Sequence, residues 1–598
     1  MRCRGVLAAV ALLTIGPPAA AQIVTGNFNR PEGLRGVPTM PLDTNVGTRA
    51  PTFRTSVTRV ELGALVVDSQ GRPVRDLQVE DFEVLDGGRP QKILSFTKYQ
   101  RDATAIPLDA MPREDAAVAA VATNAWTAHS RIFALVVDDL HIDARHAERA
   151  RSAARAFVDA LDPSDLLLVA ITSNPRATTG AFTRDRRRAR ALIDSFGGLR
   201  LIDPTLEMRQ LPLGATAAAL GSSNQQRSMR LADAYGTIER IATAARTVTG
   251  RRKTVVFISE GSPTGAASVG STALTAEATG AMLNAVAAAS VADVAIYPVN
   301  PAGLDGPTDR MIEGFTRQVA DDGREIAHED LSGLVAESLQ ARNQLRDLAA
   351  LTGGVSLIDR NDIAPAIDRV LRDANDVYLL AYEPDRVVKG TKVRGVEVRV
   401  KRPGVRVHAR RGYLAPPAAP KSDGKAGELS PVWQHLLGGI APEDGLPMFV
   451  QAVPVARTDA GTRFALIVET AGGPLVSGLQ DAQLRIEQAV VAIDAEGRMG
   501  AVTSRAATLK VGPDAAPIVA EHGIRTIWNV ELAPGDHQVR VATVQPTTGL
   551  VGSLYLDLTI AADMPVDPAA LAAIVQAQKP TAFIDPALEA LVASGAQP

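Results

Sequence analysis

Apolar residues follow three rhythms along this chain, and each change of rhythm marks an expected change of architecture. From Val57 to about residue 100, apolar and polar positions alternate. Ser69-Gln70-Gly71 and Asp86-Gly87-Gly88 supply turn signals between the β-rich runs. This predicts a small antiparallel β module over 55–105. From about 125 to 385, short unbroken apolar runs alternate with stretches of helical period. The runs are Ile132 to Val137, Leu166 to Ile171, Val255 to Ile258 and Val294 to Val299. Such runs are buried on both faces, and strands separated by crossover helices imply a parallel sheet. From Val387 the helical period disappears. Residues 393–412 alternate as two strands joined at Pro403-Gly404, and the chain from Met448 to Ile560 is β-rich again.

These rhythms predict a multidomain fold class, with a central α/β doubly wound, mostly parallel sheet flanked by β-sandwich modules. The expected segments are a lead-in over 22–54, the β module over 55–105, the α/β domain over 125–385 and a β extension over 386–416. A Pro-, Ala- and Lys-rich linker over 417–430, a β-sandwich over 431–562 and a tail over 563–598 complete the chain. Within the α/β segment, Ala147, Ala150, Ala154, Phe157, Val158 and Leu161 share one helix face. Further helices are predicted over 181–196, 230–247, 273–291 and 345–351, the last capped by Thr352-Gly353-Gly354. Residues 197–227 and 301–340 read as surface insertions. Val355 to Ile358 and Val377 to Tyr382 read as further strands of the same domain.

The candidate chemistry sits at the ends of the buried runs. Ile132 to Val137 stops at two adjacent carboxylates, Asp138 and Asp139, and Val255 to Ile258 stops at Ser259-Glu260-Gly261. In open α/β sheets, ligands bind outside the carboxyl ends of the strands. Asp138, Asp139 and Glu260 are therefore the candidate metal ligands, with His141, Asp143 and Ser259 as candidate ligand-binding residues beside them. Other signals are thinner. His141 and His146 are five apart, not the i, i+4 pair of a zinc helix. Ser259-Glu260-Gly261-Ser262 lacks the spacing of a nucleophile elbow, and no phosphate-binding Walker A loop occurs. Arg184, Arg186, Arg187, Arg188 and Arg190 open a helix and read as a solvated face.

Composition narrows the setting. The chain has 598 residues, with 63 Lys and Arg against 66 Asp and Glu, a balance that creates no field favouring nucleic acid. Arg2 and Arg4, the apolar run Val6 to Ile15, Pro17-Pro18 and Ala19-Ala20-Ala21 before Gln22 have the order of a secretory signal peptide over 1–21. The expected location is secreted or periplasmic, with no transmembrane segment after cleavage. The single cysteine, Cys3, falls within that leader. Disulfides, thiol catalysis and thiolate metal sites are then excluded from the mature chain.

Five segments, in order, carry a resemblance. They are ALVVDDLHID (134–143), VVFISEG (255–261), LAALTGG (348–354), DVYLLAYEPD (376–385) and VRVHARRGYLAP (405–416). Together with residues 63–88 they resemble the bacterial VWFA-related subtype, Acidobacteria-type, of the von Willebrand factor A domain. The likeness covers about 55–416. It implies a metal ion–dependent adhesion site, in which oxygens hold a hard cation that offers an open position to a partner's acidic group. Asp138 matches the family's first Asp, and Glu260 stands at its second Asp position. Leu140 and Ile142 stand where the family has serines, and Thr183 and Thr205 are the alternatives for its loop threonine. The resemblance with these departures implies a degenerate site, with either no cofactor or a weak cation, Ca²⁺ rather than Mg²⁺.

Three functions remain open at this stage. The leading one is a non-enzymatic, adhesion-type protein whose partner is a protein or peptide. The alternatives are a metal-assisted acid–base hydrolase using Asp138, Asp139, Glu260 and His141, and a purely structural envelope component.

Overall fold

The computed structural model describes residues 60–100, 120–124, 130–178, 180–202, 217–246, 248, 253–262, 272–304, 332–384, 394–413, 430–477, 479, 483–495, 497–513, 515–567, 571 and 582–583. The segments read as signal peptide, lead-in and linker up to residue 429, and most of the segment read as a tail, lie outside the described residues. Among those described, no helix is long and apolar enough to cross a membrane.

The N-terminal strands are β1 (Val60–Val67), β2 (Phe82–Asp86), β3 (Arg89–Gln91), β4 (Ile93–Gln100) and β5 (Ala120–Thr123). An alternation of strand and helix follows: β6 (Ile132–Val137), α1 (Ala147–Asp159), β7 (Leu166–Ile171), β8 (Asn174–Thr178) and α2 (Arg186–Ser195). It continues with α3 (Ala217–Ala245), β9 (Lys253–Ile258), α4 (Thr272–Val291), β10 (Val294–Val299), α5 (Ser332–Thr352) and α6 (Ala364–Asp373). Next come β11 (Asp376–Tyr382), β12 (Arg394–Val400), β13 (Arg406–Ala409) and β14 (Gly412–Tyr413). The C-terminal part holds α7 (Pro431–Gly438), β15 (Met448–Thr458), β16 (Gly461–Thr470), α8 (Gly472–Val476), β17 (Gln483–Asp494) and β18 (Thr503–Lys510). It ends with α9 (Ala515–His522), β19 (Ile524–Leu532), β20 (Gly535–Gln545), β21 (Leu550–Ile560) and β22 (Ala582–Phe583).

One sheet, ordered β10-β9-β6-β7-β8, has four parallel strands and an antiparallel edge strand, β8. Its four parallel strands are buried at every position because both faces are covered. Ile132, Ala134 and Val136 pack with Tyr235 and Ile238 of α3, Val286 of α4 and Leu348 of α5. Phe133, Leu135 and Val137 pack with Phe157 and Val158 of α1, Ile193 of α2 and Ile367 of α6. The helix-face residues of α1 expected from the sequence, Ala147 to Leu161, are all buried.

The expected fold class is nevertheless corrected. Strand outweighs helix, and among the described residues this parallel sheet is one of five. The other four are antiparallel apart from the two-residue β19–β22 pairing. The chain is therefore not a doubly wound domain with sandwiches strung on either side, because its strands cross between the expected parts. β11, read as the last strand of the α/β segment, pairs antiparallel with β1 and β4 in the sheet β13-β1-β11-β4. β12 and β13 do not form a hairpin with each other. β12 joins β2 and β14, and β13 joins β1. The two resulting sheets enclose Leu62, Val84, Tyr378, Leu380, Tyr382 and Val398. β5 joins β15 at the edge of a C-terminal sheet, whose facing sheet is β18-β17-β20-β21. Between those two sheets lie Phe464, Leu466, Trp528, Val541 and Leu556.

Local expectations shift too. Helix α3 begins at Ala217, inside the stretch read as an insertion. Helix α5 begins at Ser332, well before Leu345. Val355 to Ile358 forms only a single bridge, Leu357 to Val299, instead of a strand.

Candidate functional site

The carboxyl ends of β6, β7 and β9 each run straight into polar residues, and the backbone ladder carries them one step further. Asp138 N–H donates to the Ile258 carbonyl at 2.9 Å, Thr172 N–H to Val137 at 3.0 Å and Ser259 N–H to Val299 at 3.0 Å. Asp138, Thr172 and Ser259 are thereby held side by side at one end of the sheet.

Asp138 is 1% exposed. Its carboxylate accepts from Ser259 Oγ at 2.7 Å, His141 Nδ1 at 2.9 Å and Thr172 Oγ1 at 3.0 Å. Thr172 Oγ1 also lies 3.1 Å from Asp139 Oδ1, so its one proton is shared between the two acids. Asp139 takes the Ser173 N–H at 2.9 Å and Ser173 Oγ at 2.5 Å. Burial pushes the Asp139 carboxyl above its ordinary range, and the neighbouring Asp138 charge adds to this against the pull of the Ser173 and Thr172 bonds. Tyr235, buried on α3, is pushed up by burial and, to a lesser degree, by the charges of Asp138 and Asp347.

Glu260 belongs to a second, adjacent group. Its carboxylate takes Asp143 N–H at 2.9 Å, His146 Nδ1 at 2.7 Å and Arg200 Nη1 at 3.1 Å. Asp143 caps the 3₁₀ turn Ala144–His146 by accepting Arg145 N–H at 3.0 Å, and it also holds the Arg145 guanidinium at 2.9 Å. Burial alone would raise the Asp143 carboxyl. The Arg145 bonds and the charges of Arg145 and His146 outweigh it and hold the group far below the usual range. Segment 199–202 is tied on by Leu199 N–H to Asp139 O at 2.8 Å and Arg200 N–H to Ile142 O at 3.1 Å.

The structure thus brings Asp138, Asp139, His141 and Ser259 together and sets Glu260 and Asp143 in the neighbouring group. These donors do not suit a resident cation. Hydroxyl and imidazole protons face the Asp138 and Asp139 oxygens, and Glu260 is met by Arg200 and His146. Among the described residues, no group of three or more His, Cys, Asp or Glu is placed to hold a metal. Leu140 and Ile142 point inward and are buried, Ile142 against the α1 side of the sheet. Sequence reasoning missed Thr172, Ser173 and Arg200. The first two had a readable signal, since they follow the buried run Leu166 to Ile171 just as Asp138 and Asp139 follow theirs.

No protein-family model and no curated protein matches the chain.

Large apolar side chains stand exposed around this same edge. Leu199 and Ile202 lie on the tied segment, and Arg227 Nη2 donates to the Ile202 carbonyl at 2.9 Å. Met229 sits on α3 next to Arg230, whose guanidinium bonds the Leu199 carbonyl. Leu304, 61% exposed, follows β10. Val335 and Leu339 lie on α5, before the point where Ala341 abuts Gly261. There a Cβ on Gly261 would stand 2.6 Å from the Ala341 carbonyl oxygen, and Gly261 has φ +73°. Glycine is what lets α5 come this close to the end of β9.

Proposed function

We propose that this is a non-enzymatic, adhesion-type binding protein, secreted or periplasmic, that docks a protein or peptide at the carboxyl ends of β6, β7, β9 and β10. The observation that carries the reading is the set of exposed apolar side chains at that edge: Leu199, Ile202, Met229, Leu304, Val335 and Leu339. Large apolar side chains left exposed near one edge of a sheet mark a candidate interaction site. The acids beneath it act as fasteners. Asp138 ties β6 to the ends of β7 and β9, and Glu260 ties the 3₁₀ turn to segment 199–202. A docking surface on loops fixed in this way loses little freedom on binding. The resemblance to von Willebrand factor A domains supports the same edge, with direct apolar contact in place of a cation bridge.

The test is cross-linking and capture from envelope extract. Leu199→Glu with Met229→Glu should abolish capture of any specific partner. Leu94→Glu, an equally exposed site on β4, should leave it intact. Equal capture by all three proteins would remove the edge from the proposal. The hydrolase reading draws on one observation, the Asp138–His141 carboxylate–imidazole pair. Ser259 gives its proton to Asp138 and not to His141, so no serine is activated there. Turnover in a hydrolase screen that His141→Gln abolishes would favour that reading instead.

A further inference from the structure

The C-terminal sandwich leaves one strand edge open along its length. In the sheet β18-β17-β20-β21, β18 lies at the end and, among the described residues, pairs with β17 alone. That pairing runs without a register shift from Gln483↔Lys510 to Val490↔Thr503. Which backbone groups face outward follows from the alternation of an antiparallel ladder. The Ala492 carbonyl accepts Gly500 N–H at 2.8 Å, so the even-numbered residues of β17 turn their backbone groups toward β18. Their register partners Thr503, Arg505, Ala507 and Leu509 bond back to them. Ser504, Ala506 and Thr508 therefore point their N–H and C=O groups away from the sheet.

Folded chains blunt such an edge with a short strand, a proline, a bulge, a charge or a cover. The other sheet ends among the described residues have one of these. β14 and β22 are two residues long, β3 is three, and β5 and β13 are four. β8 carries Pro175 and a register shift against β7, and β10 is bridged at Val299 to Leu357. β21 is met by Leu446 N–H at the Val551 carbonyl and gives Ser553 N–H to Glu443. β4 is as long as β18, but its pairing shifts at Ala381/Tyr382 and it carries Lys98. β18 has eight residues, no proline and no shift. At its outward positions, Ser504 and Thr508 are exposed, Ala506 is half-buried, and all three are small and uncharged. Arg505 is folded over the Trp528 ring, 4.3 Å from the centroid, and its Nη1 donates to the Ile527 carbonyl at 2.9 Å.

We infer that β18 is an interface for a second copy of this chain, paired antiparallel about a two-fold axis at Ala506. A two-fold contact uses the same patch on both copies, so the patch must complement itself. In this register Ala506 faces its own counterpart, and Ser504 faces Thr508 of the second copy. The outward N–H and C=O groups of all three are then paired. A small side chain lies at the axis, and a favourable Ser–Thr cross-strand pair occurs on each side of it. Arg505 falls opposite Ala507 and Lys510 opposite Val502, so no like charges are opposed. An axis at Arg505 or at Lys510 would set a cation against its own copy, which is destabilising. The interface lies in a different sheet from the proposed docking edge. A dimer would thus offer two docking edges to one partner.

The experiment is sedimentation velocity of the full chain over a wide range of concentration. The wild type should pass from monomer to dimer as concentration rises. Ala506→Lys puts two ammonium groups together at the axis and should weaken the dimer about tenfold. Ala506→Glu should weaken it similarly. An equimolar mixture of the two variants should dimerise at least as well as the wild type, because each lysine then meets a glutamate. The backbone groups of Ala506 face away from β17, so both variants should melt with the wild type, and melting curves check this. A wild type that stays monomeric at every concentration would overturn the inference. So would a dimer that Ala506→Lys leaves unchanged, or a mixture no more dimeric than its parts.

Discussion

Asp138→Asn is the substitution that separates a hydrogen-bonded fastener from a metal ligand. It preserves volume at a site that is 1% exposed, so no cavity opens. It removes a charge that receives three donors, Ser259 Oγ, His141 Nδ1 and Thr172 Oγ1. Thr172 retains Asp139 Oδ1 at 3.1 Å, and the asparagine oxygen still accepts one of the other two. The loss is one to two hydrogen bonds to a charged acceptor, with an amide N–H turned toward a buried donor. At roughly 1.5–3 kcal/mol per charged bond, the expected cost is about 3 kcal/mol. For a cooperative unit of this size, that lowers Tm by about 6–12 °C. The assay is calorimetry of both proteins in EDTA and in millimolar CaCl₂. The same difference should appear in both buffers. If EDTA alone lowered the wild-type midpoint and erased the difference from Asp138→Asn, a cation would be holding the site, and the fastener argument would be wrong.

Four further outcomes are expected. Asp143→Ala should cost about 1 kcal/mol at neutral pH, the usual value of a lost cap. The Asp143 pKa is lowered in the fold, so its contribution is present above the unfolded Asp range and is lost as pH falls below it. Urea-unfolding curves of the two proteins should converge in acid, and a constant gap down to pH 2 would refute the link. Gly353→Ala should cost about 1 kcal/mol, the price of a side chain at φ +77°. Gly354→Ala should do far more damage, because its Cβ would lie 1.9 Å from the Ile296 carbonyl oxygen; comparable soluble yields of the two variants would contradict this packing. Arg200→Met should loosen segment 199–202 by removing a buried partner of Glu260, read as faster amide exchange at Leu199 and Arg200.

What was legible in the sequence was local. Unbroken apolar runs identified β6, β7, β9 and β10, because a strand covered on both faces has no polar side to show. Polar residues at the ends of those runs located Asp138, Asp139 and Glu260. What was hidden was partnership. Val377 to Tyr382 reads as one more buried strand, and nothing in its composition says that Val60 to Ala64 is its neighbour. The separation of Glu260 from the Asp138 group was also invisible, since it depends on His146 and Arg200, which come from distant turns. Leu140 and Ile142 were read only as missing hydroxyls. Their burial shows why they are apolar: the turn after β6 folds inward and contributes to the core.

The pairing of β1 with β11 has a consequence for how the polypeptide must be made. Leu77 meets Tyr378 across 301 residues, and Thr123 meets the Met448 carbonyl across 325. A chain emerging N-terminus first exposes β1 and β5 long before their neighbours exist. Each presents an open edge that invites pairing with another copy. The parallel sheet can close early, from residues near in order, while both flanking sheets wait for the far end. A ribosome stalled near residue 370 would therefore release a species with its middle folded and its beginning still unpaired.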